Sequence, residues 1–245
     1  MTSKVLVCPV AFNEKVKLRN VIERFLKSPL PGQVDYMIVD DGSDDGTTEV
    51  IAEYAPRGVK TVKHPARSGV GAAIRTAIRY AQSNRYDVLV IMAGNDKDNP
   101  EEIPFLLAPI VEQGYDIVQG SRYLNKVGSG GDMPLYRKFA TRLHPFMFSL
   151  FTGRHVTDTT NGFRALRLKM FDDARIDLDQ AWLNAYELEP YILWKAVTLG
   201  YKFQEVFVTK IYPPKALGAY TKMIPLISWW SILRPLFYLR LGIKK

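Results

Sequence analysis

Asp40 and Asp41 end a short apolar run, Tyr36-Met-Ile-Val39, and lead straight into Gly42-Ser-Asp-Asp-Gly-Thr47. Carboxylates at the end of a buried strand can accept hydrogen bonds from the N–H and O–H groups of a nucleoside, or hold a metal ion. Gly42 would let backbone approach such a ligand closely. The same stretch also suits a plain acidic turn in which Asp44 or Ser43 caps the next helix. Two more polar loops have this form: Asn13-Glu14 after Val5–Val10, and Asn95-Asp96-Lys97-Asp98 after Val88–Met92. A fourth loop, from His64 to Arg75, carries Gly69 and Gly71 at the start of a helix with Arg67 and Arg75 nearby. Backbone N–H groups there suit a phosphate, although the same glycines also suit close packing. Farther on, Thr157-Asp158-Thr-Thr-Asn-Gly-Phe-Arg164 reads as a polar turn.

The elements that must position these loops are short buried strands alternating with amphipathic helices. Strands are predicted at Val5–Val10, Tyr36–Val39, Val59–Val62, Val88–Met92 and Ile117–Gln119. Leu18, Val21, Ile22 and Phe25 mark one intervening helix, Ile74, Ala77, Ile78 and Ala81 a second, and Ile103, Leu106, Leu107 and Ile110 a third. Such alternation argues for an α/β fold, a mostly parallel sheet with helices on its faces and a site along its carboxyl edge. The pattern loosens after Gly120. A segment with Gly128, Gly130 and Gly131 precedes a helix bearing Leu135, Phe139, Leu143, Phe146, Met147 and Leu150, together a candidate lid. Glu187–Leu199 reads as a helix and Tyr201–Tyr212 as a closing strand.

With 245 residues, 47% of them hydrophobic and 24% charged, the chain can bury a full α/β core. The net charge of +8 points to an anionic partner. Nucleic acid fits poorly, because the basic residues form no run with interleaved aromatics. Cys8 is the only cysteine, which excludes a disulfide framework and fits a reducing compartment. The apolar run at Val5 is too short for a signal peptide, so the catalytic part is expected in the cytoplasm. The last stretch is as long as a bilayer span, but Arg234 and Pro235 interrupt it. Trp229-Trp230, Tyr238 and flanking basic residues suit an interfacial element. The alternative is a helix packed on its own domain or on a second subunit of a homo-oligomer.

Five motifs in this order resemble those of the family 2 glycosyltransferases, in particular the polyprenyl-phosphate mannosyl- and glucosyltransferase branch. Pro9-Val-Ala-Phe-Asn-Glu14 is similar to the family's Pro-x-Tyr-Asn-Glu, and Asp40–Thr47 to its most recognisable motif. Gly69-Val-Gly71 and Gly120-Ser-Arg-Tyr123 resemble the following two, and Asp158–Arg164 resembles Asp-x-Thr-Ser-Gly-Phe-Arg. The likeness spans roughly residues 4 to 212. It implies a GT-A, Rossmann-like nucleotide-diphospho-sugar transferase domain over 1–220, working with inversion, and a membrane-interfacial segment over 221–245. By position it places Pro9, Ala11, Asn13, Glu14 and Asp41 at the nucleoside and Lys222 over the diphosphate; Asp40, Gly69, Gly71 and Arg75 join them as candidate nucleotide-sugar-binding residues. Arg122 and Arg137 fall where that branch binds its acceptor phosphate. Either Glu187 or Glu189 matches an acid of the family.

The chain departs from the family where the fourth strand ends. Asp-x-Asp, which holds Mg2+ or Mn2+ on the donor, reads Ala93-Gly94-Asn95 here. Asn95 and Asp96 are the remaining candidate ligands, and Lys97 is a candidate to take over the neutralising charge. The expected activity is transfer from a nucleotide-diphosphate sugar to a polyprenyl-phosphate lipid by a peripheral protein on the inner face of the membrane, in the synthesis of envelope glycans. A lipid phosphate needs positioning by Arg122 and Arg137. A sugar hydroxyl on a glycan acceptor would need a base such as Asp158. A non-catalytic nucleotide-sugar-binding subunit is the reading from another class.

Overall fold

Strand β1 (Lys4–Ala11) pairs in parallel with β2 (Gln33–Asp40) on one side and β4 (Val88–Ala93) on the other, and β3 (Val59–Lys63) extends the sheet beyond β2. The computed structural model describes residues 3–28, 30, 32–125, 135–211 and 227–245, without the side chains of residues 135–137. Among these residues seven strands form one sheet in the order β3-β2-β1-β4-β6-β5-β7. The other members are β5 (Ile117–Ser121), β6 (Arg164–Arg167) and β7 (Phe203–Phe207). Continuous apolar runs suit strands covered on both faces, and two apolar layers do cover them. Val5, Val7, Val88 and Val90 point toward α1 (Lys15–Lys27), α2 (Thr47–Glu53) and α4 (Ile103–Gln113). Leu6, Cys8, Leu89 and Ile91 point toward α3 (Val70–Ser83) and α6 (Leu188–Thr198). Helices α5 (Leu135–Thr152) and α7 (Ile227–Arg240) join this second layer through Phe148 and Leu236.

β6 corrects the sequence reading, in which this region was only a turn. It is short, begins on a buried arginine and runs antiparallel to both β4 and β5. Because it runs backwards, the loop before it reaches the same edge as the loops that follow the parallel strands. The closing strand is also shorter than expected, and beyond it Lys210 bridges to Asp98.

Helix α7 packs on its own domain. Ser228, Ser231, Pro235 and Leu236 are buried, and Tyr238 meets Trp182 at 5.7 Å between ring centroids. Arg234, inside the apolar stretch, pairs with the buried carboxylate of Glu187. Among the described residues no helix is long and apolar enough to cross a membrane.

Candidate active site

The carboxyl edge opens into a cavity of about 590 Å³. Asp41 lies in its lining, but its carboxylate is already engaged. Oδ1 accepts from Ser68 N–H at 2.8 Å and meets His64 Nδ1 at 2.8 Å, while Oδ2 accepts from Gly69 N–H at 2.9 Å. It therefore fixes the glycine loop beside the cavity. Asp40 is fully buried outside the lining, where it accepts from Ser43 N–H at 3.0 Å and the Thr48 hydroxyl at 2.5 Å. The helix-start contact comes from Asp45, not from Asp44 or Ser43: its Oδ1 accepts from Thr47 N–H at 2.9 Å. Asn13 also turns away from the cavity, exchanging hydrogen bonds with Asp44. Pro9 is buried within β1, whereas Ala11, Phe12 and Glu14 line the cavity.

Gly69 and Gly71 owe their identity to packing. A Cβ on Gly69 would run into the Asn184 carbonyl, and one on Gly71 into the carbonyls of Leu183 and Ala185. Gly69 lines the cavity and has a φ of +103°, a further reason for glycine there. Arg75, expected at a phosphate, instead donates to the Leu178 carbonyl at 2.7 Å and to the Asn184 side chain. It binds the Leu178–Asn184 segment to α3 and lies outside the cavity. Arg67 does line it, its guanidinium 4.4 Å from the Phe12 ring centroid.

Arg122 and Asp158 form a buried bidentate pair. Arg122 Nε donates to Oδ2 at 2.6 Å and Nη2 to Oδ1 at 2.7 Å. Nη2 also reaches the Thr160 hydroxyl, and the backbone N–H of Arg122 and of Thr160 point at the same carboxylate. Burial pushes the Asp158 carboxyl upward, but the arginine charge and these bonds outweigh it and hold the group below the ordinary carboxylate range. An acid so held is a poor general base. Glu205 anchors the turn from β7, accepting from the N–H groups of Thr157 at 2.8 Å and Asp158 at 2.9 Å. Arg122, Thr159, Thr160 and Gly162 line the cavity; Asp158 does not. Arg137 starts α5 with its side chain outside the described residues, and Lys222 lies outside them entirely.

Residues 7–175 match the sequence pattern of Glycosyl transferase family 2. The chain belongs to that family. The polyprenol monophosphomannose synthase of Mycolicibacterium smegmatis is 30% identical over 211 residues, covering 85% of this chain and 77% of that protein. An undecaprenyl-phosphate mannosyltransferase of Micrococcus luteus is 30% identical over 212 residues, covering 84% and 83%. A crystal structure of Mycobacterium tuberculosis glucosyl-3-phosphoglycerate synthase with Mn2+, UDP and phosphoglyceric acid superposes with a TM-score of 0.67. At 18% identity, over 99% of this chain and 80% of that one, it shows a shared fold. The expected GT-A α/β architecture and the glycosyltransferase activity both hold.

In this family 2 transferase the loop after β4 does not assemble a metal-ligand set. Ala93 offers only a methyl group. Asp96, with a φ of +57°, is drawn outward to Arg24 at 3.1 Å, so it is not the cavity ligand its position suggested. Asp98 is tied to Ala93 N–H at 2.9 Å and to Lys210 at 2.7 Å. Among the described residues no three His, Cys, Asp or Glu side chains gather to hold an ion. Asn95 lines the cavity with its side-chain oxygen buried and unpartnered by any described residue, and Lys97 lies close by in the lining.

The two candidate acids at the start of α6 lie in different surroundings. Glu187 is buried against Arg234 and Ala185 N–H, whereas Glu189 lines the cavity. Three lining or supporting groups escaped the sequence reading: His144, Lys210 and Glu205. His144 is 2% exposed; its Nδ1 meets the Thr159 hydroxyl at 2.6 Å and its Nε2 the Ile232 carbonyl at 3.0 Å. Burial pushes its pKa down to about 4. The neutral ring then donates from Nε2 to Ile232 and accepts at Nδ1 from Thr159, joining α7 to the Asp158 turn. Phe139 and Leu143 of α5, with Trp229, Ile232 and Leu233 of α7, make the remaining wall apolar.

Proposed function

We propose that the chain transfers a sugar, with inversion, from a nucleotide-diphosphate sugar to a polyprenyl-phosphate-type lipid. The observation that carries this reading is the state of Asp158: the acid expected to serve as base is saturated by Arg122 and backbone N–H groups. An acceptor phosphate needs no base. Its oxyanion attacks the anomeric carbon, the new C–O bond forms opposite the old one, and the bonding pair of the broken C–O bond leaves with the nucleoside diphosphate. Negative charge grows on that leaving group, and Lys97 is the candidate cation to stabilise it. Arg122, immobilised by Asp158, is the residue we assign to the acceptor phosphate. Mg2+ or Mn2+ has no fitting ligand set among the described residues.

We place the work at the inner face of a membrane, with the 221–245 segment contributing to docking. Phe139, Phe146 and Leu150 on α5 and Ile227 on α7 are each at least 66% exposed, and Trp230 is half exposed. Lys138, Arg142, Arg240, Lys244 and Lys245 are exposed on the same elements or just beyond them. Apolar anchors with basic flanks suit anionic lipid headgroups. The apolar wall between α5 and α7 would admit the lipid chain from that side.

A second reading, transfer to a sugar hydroxyl, is favoured by Glu189, an acid that does face the cavity. Labelled nucleotide sugars offered with polyprenyl phosphate in anionic vesicles, or with soluble glycans, separate the two. The lipid reading expects label in the lipid and at most about tenfold loss for Glu189→Gln. Label in the glycan alone, with a loss of about 10²–10⁴ in that variant, would replace it with the second.

A further inference from the structure

Lys210 follows β7 and has no counterpart among the motifs discussed above. It lines the cavity beside Lys97, with its side chain 11% exposed. Its ammonium donates to Asp98 Oδ1 at 2.7 Å and to Asn161 Oδ1 at 2.8 Å. Among the described residues no third acceptor meets it, although an ammonium carries three donors. Both supports are themselves fixed. Asp98 is fully buried and accepts from Ala93 N–H, while Asn161 is fully buried and donates to the Gly120 carbonyl at 3.0 Å. A backbone bond from Ile211 N–H to the Lys97 carbonyl, at 3.1 Å, draws the two lysine-bearing segments together.

Two of the departures from the family's motifs therefore meet at one side chain. Ala93 stands at the first acid of Asp-x-Asp and Asn161 at the serine of the later motif, and Lys210 is held between the group bonded to one and the amide of the other. A methyl group at position 93 removes a carboxylate that would hold an ion. Among the described residues the loop after β4 and the segment after β7 bring two lysines and the neutral Asn95 to this wall of the cavity and no carboxylate, since Asp98 lies behind Lys210 outside the lining; the acids that do line the cavity, Glu14, Asp41 and Glu189, come from other elements. Such a wall repels a divalent cation and attracts a polyanion.

We infer that Lys210, fixed by Asp98 and Asn161 beside Lys97, binds the donor's diphosphate and supplies charge that no metal-ligand set among the described residues provides. This rests on the donor-site reading proposed above. Donor binding should then be independent of divalent metal and dependent on the Lys210 ammonium.

Calorimetric titration with UDP, GDP and the other common nucleoside diphosphates, in EDTA and in Mg2+ or Mn2+, tests the inference on the wild-type chain. Affinity should agree within about twofold between these conditions. Lys210→Met should weaken diphosphate binding about tenfold or more while leaving the parent nucleoside unaffected. Because that variant strands a buried carboxylate, Lys210→Met with Asp98→Asn provides the same test in a fold without the unpaired charge. Wild-type binding that weakens tenfold in EDTA and returns with the ion would overturn the inference. So would unchanged diphosphate affinity in the double variant. If no nucleoside diphosphate binds under any condition, the donor-site reading itself falls, and the inference with it.

Discussion

Arg122 holds Asp158 through two bonds, Nε to Oδ2 at 2.6 Å and Nη2 to Oδ1 at 2.7 Å, with side chains only 3% and 0% exposed. Each group is the other's counterion, with Asp158 fully buried and Arg122 at the cavity lining. The pair thus aims an arginine at the cavity and simultaneously removes the acid from proton-transfer chemistry.

Removing one partner of such a pair leaves a buried charge alone, at a cost of about 3–5 kcal/mol. Asp158→Asn should therefore lower thermal stability as well as transfer. Arg122→Met with Asp158→Leu should recover much of the stability and none of the transfer. A stable Asp158→Asn variant that loses only turnover would instead point to a base.

His144 should make stability fall on acidification. Its folded pKa, about 4, lies below the ordinary value of 6.5. Between those values the unfolded chain binds more protons, so stability is fully present above about pH 6.5 and is lost as pH falls toward 4, by roughly 3 kcal/mol. Asp158, also held low, acts in the same direction at still lower pH. Glu102 and Glu205, raised by burial, oppose it just above pH 4.5, since there the folded chain holds the extra proton. Denaturant unfolding at several pH values should show a flatter dependence for His144→Gln than for wild type.

The alternating strands and the loops after β1, β2 and β4 are legible in the sequence because each depends on neighbouring residues. What those loops do is less legible. Asp40 and Asp41 are adjacent, yet one closes a turn and the other fixes a loop beside the cavity. Asp96 and Arg75 answer to partners 72 and 109 positions away. β6 escapes because four residues beginning and ending in arginine show no strand period, and Lys210 because its supports lie 112 and 49 positions distant. Arg164 is nevertheless a hint in retrospect: its guanidinium is buried, donating to the Glu189 and Asn161 carbonyls at 3.0 and 2.9 Å.

Gly71→Ala tests whether the glycine loop serves packing. The added methyl meets two carbonyl oxygens of the Leu183–Ala185 segment. Overpacking of this kind costs about 1–3 kcal/mol, readable by denaturant unfolding. Arg75→Ala should likewise destabilise while leaving donor affinity within about twofold, because both its bonds go to protein.

The most direct measurement compares acceptors that differ by one group. Single-turnover transfer is followed from a labelled nucleotide sugar to a polyprenyl phosphate and to the matching polyprenol, in the same vesicles. If Asp158 is no base and Arg122 binds the acceptor phosphate, as proposed, label should pass to the phosphate and not to the alcohol. Comparable transfer to the alcohol, or transfer only to a soluble glycan, would contradict base-free attack by a lipid phosphate.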